Sequence, residues 1–419
     1  MSTVLIALWD GGGNSPPVLG LAGRLVARGH RVRVLADRSL AGAVAGAGAE
    51  HVAWTSAPQR ASSDPSSEFV RDYEARTPVG EVRRLQDRLM IGPAAAFLAD
   101  TEAEIAASKP DVVLVENLLV GAQLAAEAAG LPYASIVPNI FPGPVPGRPP
   151  FGPGLLPRDD LLGRMRDRAA GAVGRRLWDR RLDEFNDLRR SRGAAPLASL
   201  FDGLVLPDRV LVLTSAAFEF GGQGTPPPNV VYCGPSLEDP DWSGSWEPPP
   251  GDAPLVLASL STTMQNQDRV LPRIIAALGE LPVRGVVTTG PSAPAPDPRQ
   301  VPDNVTVVPA APHSAVLRHA SLAISHGGHG TVMKSLAAGV PVLCLPVSRD
   351  QPDTAARVVA AGAGLRLRPT AGRRAITRAV AELLTEQSYR SAAARLASVI
   401  AADRERDVAL AEVERLLAR

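Results

Sequence analysis

Cysteine, lysine and long apolar runs are what this 419-residue chain has least of, and each shortage excludes something. The two cysteines, Cys233 and Cys344, fall in different halves, so a disulfide framework is not expected and a reducing, cytoplasmic setting is. No run approaches the ~18 apolar residues that a membrane span requires. The opening MSTVLIALWDGGG has no basic n-region and only a short apolar run before a charged turn, so it reads as a first strand and not as a signal peptide. Lys109 and Lys334 are the only lysines among 44 cationic residues, against 43 acidic ones, for a formal net charge of +1. With no basic block, a nucleic-acid footprint is not expected. The arginine bias, together with abundant Ala, Gly and Pro, points to a GC-rich genome.

What is present suffices for two domains of about 200 residues each. Hydrophobic residues make up 45% and charged residues 21%, enough for sizeable cores under an ordinary soluble surface. Thr3 to Trp9 reads as a buried strand, Asp10 to Ser15 as a glycine turn, and Pro16 to Arg28 as a helix whose first turn tolerates the prolines. Arg31 to Leu35 follows as a strand, completing the β-α-β opening of a doubly wound sheet. Further strands are expected at Glu50 to Thr55, Pro110 to Val115, Tyr133 to Val137 and Arg209 to Thr214. Helices are expected over Phe69 to Glu74, Gly80 to Ser108 and Arg164 to Arg192. The stretch from Asn139 to Pro157 is too rich in Pro and Gly for regular structure, and loops of that length usually carry function. From Gly221 to Asp252 the composition shifts to Gly, Pro, Trp and Ser, which reads as a linker. The strand pattern restarts at Leu255 to Ser259 and continues through Val283 to Thr288, Val305 to Val307 and Leu322 to Ser325. Arg373 to Arg419 reads as almost wholly helical.

The most informative stretch is ASLAISHGGHGTVMKSLAAGVPVLCLPVSRDQ, ending at Gln351. An apolar run breaks into His326-Gly327-Gly328-His329-Gly330-Thr331, helical spacing resumes at Val332, and Gly339 stops it before a second buried strand. Such a turn aims unpaired amides and the positive end of a helix dipole outward, and so seats an anion; we read it as a diphosphate seat. Two histidines flanking two glycines, then Gly-Thr, an Ala-Gly-Val-Pro turn and Asp350-Gln351, make a specific string. Here the sequence resembles the nucleotide-sugar-dependent glycosyltransferases of the two-Rossmann-domain kind (GT-B, family 1), and most of all their bacterial natural-product branch. The likeness spans nearly the whole chain and is densest between residues 300 and 365.

The resemblance implies two Rossmann-like α/β domains facing across a cleft: an acceptor domain over 1–222, a linker over 223–252, a nucleotide-sugar domain over 253–395 and a terminal helix, 396–419, returning to the first domain. It implies that His326, His329, Gly328, Gly330 and Thr331 serve the diphosphate, with Ser259, Ser261 and Thr262 turned towards the same group and Asp350 and Gln351 holding sugar hydroxyls. His326 and His329 as metal ligands, or the turn as a cap that binds nothing, are the alternatives. Ala310-Ala311-Pro312-His313 stands where many relatives stack an aromatic ring on uracil; Ala310 cannot stack, which shifts the expectation from UDP- towards dTDP-sugars, with His313 contacting the nucleotide. Relatives usually carry Gly-His-x-x-Pro in the first turn, the histidine acting as base; here Gly13-Asn14-Ser15-Pro16-Pro17 puts an amide there, which takes no proton. Glu116, at the position of the histidine's acidic partner, is the expected base, with Asn14 orienting the acceptor and Asp10 in reserve. Glu116 as a mere helix cap is the competing view. Asp10 and Phe141 are the expected acceptor contacts, under loops 57–80 and 139–165.

The expected activity is therefore metal- and cofactor-free inverting transfer of a sugar from a nucleoside diphosphate to a largely apolar aglycone, with O-transfer the default and N- or C-attachment open. No nucleic-acid or membrane partner is expected, and a homodimer stays open. The rivals are a catalytically silent nucleotide-sugar binder, an activator of another transferase, and a nicotinamide-dependent oxidoreductase, the last supported only by the opening glycine turn.

Overall fold

The computed structural model describes residues 1–62, 64–240, 243–261, 270–290 and 296–419. Two wholly parallel sheets carry the chain. The first has seven strands, β1 Thr3–Ala7, β2 Arg31–Ala36, β3 Glu50–Ala53, β4 Val112–Glu116, β5 Tyr133–Val137, β6 Arg209–Val212 and β7 Val230–Tyr232, in the order β3-β2-β1-β4-β5-β6-β7. The second has six, β8 Leu255–Ser259, β9 Arg284–Thr288, β10 Val305–Val308, β11 Ala320–Ser325, β12 Val342–Cys344 and β13 Gly364–Arg366, in the order β10-β9-β8-β11-β12-β13. Strands covered by helices on both faces read as unbroken apolar runs, and every residue of β4, β5 and β8 is buried. Each order reverses once, between β1 and β4 in the first sheet and between β8 and β11 in the second. Open α/β sheets leave a crevice at that reversal, beyond the carboxyl ends of the strands.

Several expectations change. The stretch read as a linker contains β7, which extends the first sheet past β6 in register Val210↔Val230, so β6 does not close it. Edge strand β13 carries no clear apolar signal, because only Gly364 of its three residues is buried. The expected helix over Phe69 to Glu74 is a single 3-10 turn, Asp72–Glu74. The expected helical run from Gly80 to Ser108 breaks at Gly92-Pro93 into Pro78–Leu85, a π-turn at Gln86–Met90, and Ala94–Ser108. The helix Ala94–Ser108 packs closely on the helix Val120–Ala128, since a Cβ on Gly121 would lie 2.0 Å from the Ala94 carbonyl oxygen.

The C-terminal return occurs later than residue 396. The helix Gln387–Arg406 sends Ala392, Ala393, Leu396 and Ile400 into the second core. Asp407 then adopts φ +38°, and the final helix, Val408–Leu417, turns Ala409, Leu410, Val413 and Leu416 into the first core. Glu412 of that helix pairs with Arg209 of β6 at 2.8 Å. Among the described residues no helix is long and apolar enough to cross a membrane.

Leu410→Ala is expected to cost about 2–5 kcal/mol through lost burial and a residual cavity. In hydrogen exchange the faster amides should cluster in β1, β4 and the helix Ser15–Ala27, with β8, β11 and β12 unchanged; uniform acceleration over both sheets would refute the independent docking of the last helix.

Candidate active site

The β11 strand ends at Ser325, Gly327 takes φ +88°, and the helix His329–Ala337 begins with Gly328 as its cap residue. No side chain caps this helix, and the first intrahelical bond is Val332 N–H to the Gly328 carbonyl at 3.1 Å. The amides of His329, Gly330 and Thr331 thus precede the hydrogen-bonded ladder, where an anion is favoured. Glycine is required at 328, because a Cβ there would lie 2.4 Å from His326 Nε2, whereas Gly330 has nothing within 4 Å of its Cβ position and leaves an open approach. His326 is buried, and its Nδ1 has no hydrogen-bond partner among the described residues. Burial pushes its pKa down to about 4, with the Ser259 backbone acting in the opposite direction, so it is a neutral imidazole at physiological pH.

His326, Gly328, Gly330 and Thr331 line one cavity with Ser259, which ends β8 across the second reversal point, and Ser261 just after it; Thr262 lies outside the described residues. His313 lines it too, its Nε2 3.2 Å from Thr288 Oγ1, with desolvation and then Lys334 holding its pKa at about 4. Asp350 is half-buried in the same wall, its pKa raised by desolvation, with the Asn139 side chain among the groups that oppose the rise.

Three expected roles are corrected. The His329 imidazole is engaged by Thr214, Nε2 to Oγ1 3.0 Å, so its side chain ties the helix start to the first half and leaves its backbone N–H for an anion. The Gln351 Oε1 accepts the amides of Val347 and Ser348 at 2.8 and 3.1 Å, so this oxygen shapes the loop before Asp350 and is not open to a sugar hydroxyl. Phe141 does not line the cavity; it is buried with Val137, Val145, Val210, Val212 and Val230, because its loop folds it onto the sheet, and Phe151 lines the cavity.

Across the cleft stands the first reversal point. Glu116 ends β4, is 2% exposed, and accepts the Leu118 amide at 2.9 Å. Burial raises its pKa to about 8, opposed by Leu118 N–H and by the side chains of Trp9 and Asn14. The Trp9 indole N–H stands beside the carboxyl group and favours its charged form. The Asn14 side chain is committed to its own turn: Nδ2 donates to the Trp9 carbonyl at 3.1 Å and Oδ1 accepts Gly11 N–H at 3.0 Å. It fixes the glycine turn against Glu116. Asp10 accepts Ser39 Oγ–H at 2.6 Å and Gly12 N–H at 3.1 Å, and pairs with Arg60 at 3.4 Å, so its carboxylate is already neutralised.

Sequence reasoning passed over Trp9 and Arg349. Arg349 crosses from the second half, with Nε 2.5 Å and Nη2 2.9 Å from the two Asp72 oxygens and Nη2 3.5 Å from Glu68. Its adjacency to Asp350 and its φ of +55° are the local signs of a constrained position, and the second is visible only in three dimensions. The cavity totals about 1620 Å³ and touches both reversal points. That exceeds the roughly 300–1,000 Å³ of a site for one small molecule. Among the described residues no group of three or more His, Cys, Asp or Glu is placed to hold a metal ion.

Two doubly wound sheets meeting at their reversal points, one offering an anion seat and the other a buried carboxyl group, define an enzyme that brings a phosphorylated donor to a second substrate. A profile described as "Erythromycin biosynthesis protein CIII-like, C-terminal domain" matches residues 272–414. The chain is 31% identical over 412 residues to 4'-demethylrebeccamycin synthase of Lentzea aerocolonigenes, covering 95% of this chain and 96% of that protein. The crystal structure of the glycotransferase of kitacinnamycin superposes with TM-score 0.78 at 26% identity, covering 99% of each chain. The glycosyltransferase VinC, solved in complex with DTDP, shares the fold at TM-score 0.65 and 20% identity over the whole of both chains. The chain belongs to the GT-B, family 1 nucleotide-sugar-dependent glycosyltransferases, in their bacterial natural-product branch, and is a glycosyltransferase.

Glu116 has its pKa raised in the folded state from 4.5 to about 8, so its contribution to stability is full below about pH 4.5 and is lost as pH rises through about 8. Glu116→Gln should therefore gain stability relative to the parent across that window, at up to about 1.4 kcal/mol per pH unit. Parallel melting profiles for the two proteins between pH 5 and 8.5 would contradict the raised pKa.

Proposed function

We propose that this glycosyltransferase moves a sugar from a nucleoside diphosphate, a dTDP-sugar in preference to a UDP-sugar, onto a largely apolar natural-product aglycone, with inversion and with Glu116 as the base. The observation that carries the reading is the pairing, across one cavity, of an uncapped helix start with a carboxyl group titrating near neutrality. The diphosphate sits on the amides of residues 329–331, with neutral His326 beside it. Asp350 orients the sugar, and the acceptor enters from the first half. The acceptor oxygen bonds to the anomeric carbon as the bond from that carbon to the phosphate oxygen breaks on the opposite face. The bonding pair leaves with the diphosphate and the acceptor proton passes to Glu116. A single displacement of this kind inverts the anomeric centre.

A carboxylate with a pKa of about 8 is a far stronger base than an ordinary one, and its proton affinity lies close to working pH, where general bases are most effective. This offsets the missing histidine at position 14, whose side chain braces Glu116 and the turn. The dTDP preference is supported by Ala310 and Ala311 lining the cavity, side chains that cannot stack on a base, and by the DTDP bound to the fold relative VinC. The acceptor domain is taken as residues 1–222 with β7 and the final helix Val408–Leu417 added, the donor domain as 253–406, and a cytoplasmic setting fits two buried, unpaired cysteines.

Glu116→Gln should lower kcat/KM by about 10²–10⁴, the usual worth of a general base, while the parent's rate climbs with pH to a plateau through an apparent pKa near 8. A loss under tenfold removes Glu116 from the role. Gly328→Ala should displace the His326 ring and weaken dTDP binding at least tenfold by calorimetry; unchanged affinity would move the diphosphate elsewhere.

A further inference from the structure

We infer that the acceptor lobe continues as an apolar gallery along the first half, and that the enzyme therefore accepts an elongated, uncharged acceptor body and not only a compact one. The inference rests on the reading that the first half holds the acceptor. Two helices contribute stripes of the same spacing to the cavity lining. On the helix Val120–Ala128, residues Val120, Gln123, Leu124 and Glu127, spaced i, i+3, i+4 and i+7, line the same cavity as Glu116. On the helix Leu161–Trp178 the stripe is Ala170, Val173, Gly174 and Leu177, at the same spacing.

The depth can be read from the sheet. Glu116 is in register with Ile136, and Tyr133, at the other end of β5, also lines the cavity, so it runs three residues down the strand, roughly 10 Å at 3.3 Å per residue. The surrounding hydrophobic cluster is incompletely closed: Met90, Leu98 and Phe185 are buried, whereas Leu118, Val120 and Trp178 only partly pack against them. Val173 lines the cavity and stands 68% exposed, so its side chain is accessible to an occupant.

Charge selection follows from the far end. Arg189 is 3% exposed, donates to both Glu127 oxygens at 2.8 Å and to the Ala195 carbonyl at 2.7 Å, and lies over the Phe185 ring at 6.0 Å. Its charge is already neutralised, so no unpaired cation awaits an acidic tail. Gln123 spends an N–H on the Asn117 carbonyl at 3.0 Å. The occupant these features fit is a nucleophile at the Glu116 end followed by about 10 Å of uncharged hydrocarbon.

The test uses 4-n-alkylphenols from ethyl to dodecyl, titrated calorimetrically into the whole enzyme saturated with dTDP. Affinity should rise about threefold per methylene and level off near octyl. Gly174→Phe, at a helical position with nothing within 4 Å of its Cβ site, should fold normally and raise the Kd of octylphenol at least tenfold more than that of ethylphenol. Val173→Trp should do the same and guards against a folding defect in the first variant. A flat series, or variants that shift every member equally, overturns the gallery; so does an octylphenol signal seen in the dTDP-free enzyme and absent from the saturated one, which would place the chain in the donor half. Failure of ethylphenol itself to bind is a different result, overturning the acceptor reading on which the gallery rests.

Discussion

Two arginines of the second half form ion pairs with carboxylates of the first, and the site between them depends on that. Arg357 lies 2.7 Å from Glu219, which is wholly buried and also takes Arg148 at 3.3 Å; Arg349 holds Asp72 and Glu68. A buried charge parted from its partner costs several kcal/mol, whereas a well-made pair roughly offsets its own desolvation. Such contacts add little net stability but strongly penalise any arrangement in which the halves slide. Gly152 N–H to Asp353 at 2.8 Å and Arg366 to the Gly154 carbonyl at 2.6 Å fix the long first-half loop in the same way. The loop that borders the acceptor is thereby tied to the segment that carries Asp350.

With the halves fixed, exclusion of water sets the chemistry. Desolvation is the leading cause of the shifts at Glu116, His326, His313 and Asp350. It drives all of them towards their neutral forms, so histidines become uncharged donors and the carboxyl group a base poised near neutrality. A low-dielectric cleft also strengthens each remaining dipole, above all the helix start after Gly328. In the proposed donor complex positive charge reaches the diphosphate through backbone and dipole, since Lys334, the nearby lysine, is paired with Asp239 at 2.7 Å.

The parallel sheets, the elbow and the position of Glu116 were legible in the sequence because each depends on local pattern: apolar runs, a glycine break, and a residue at the carboxyl end of a strand. Strands β7 and β13 were not, since a short edge strand buries too little to leave an apolar run. Phe141, His329 and Gln351 were placed in the right neighbourhood with the wrong neighbours. Each lies in or beside a loop or helix start whose backbone alone decides which way the side chain turns.

The sequence by itself determined the architecture, the glycine turn after β11 and the carboxyl group at the end of β4, because period, turn chemistry and residue type are properties of short segments. Tertiary structure decided that Glu116 titrates near 8, that Asn14 braces where a base would stand, and that Arg349 closes the cleft. Desolvation and ion pairing depend on distances between residues far apart in the chain, such as Arg349 and Asp72, and no spacing along one sequence encodes those distances directly.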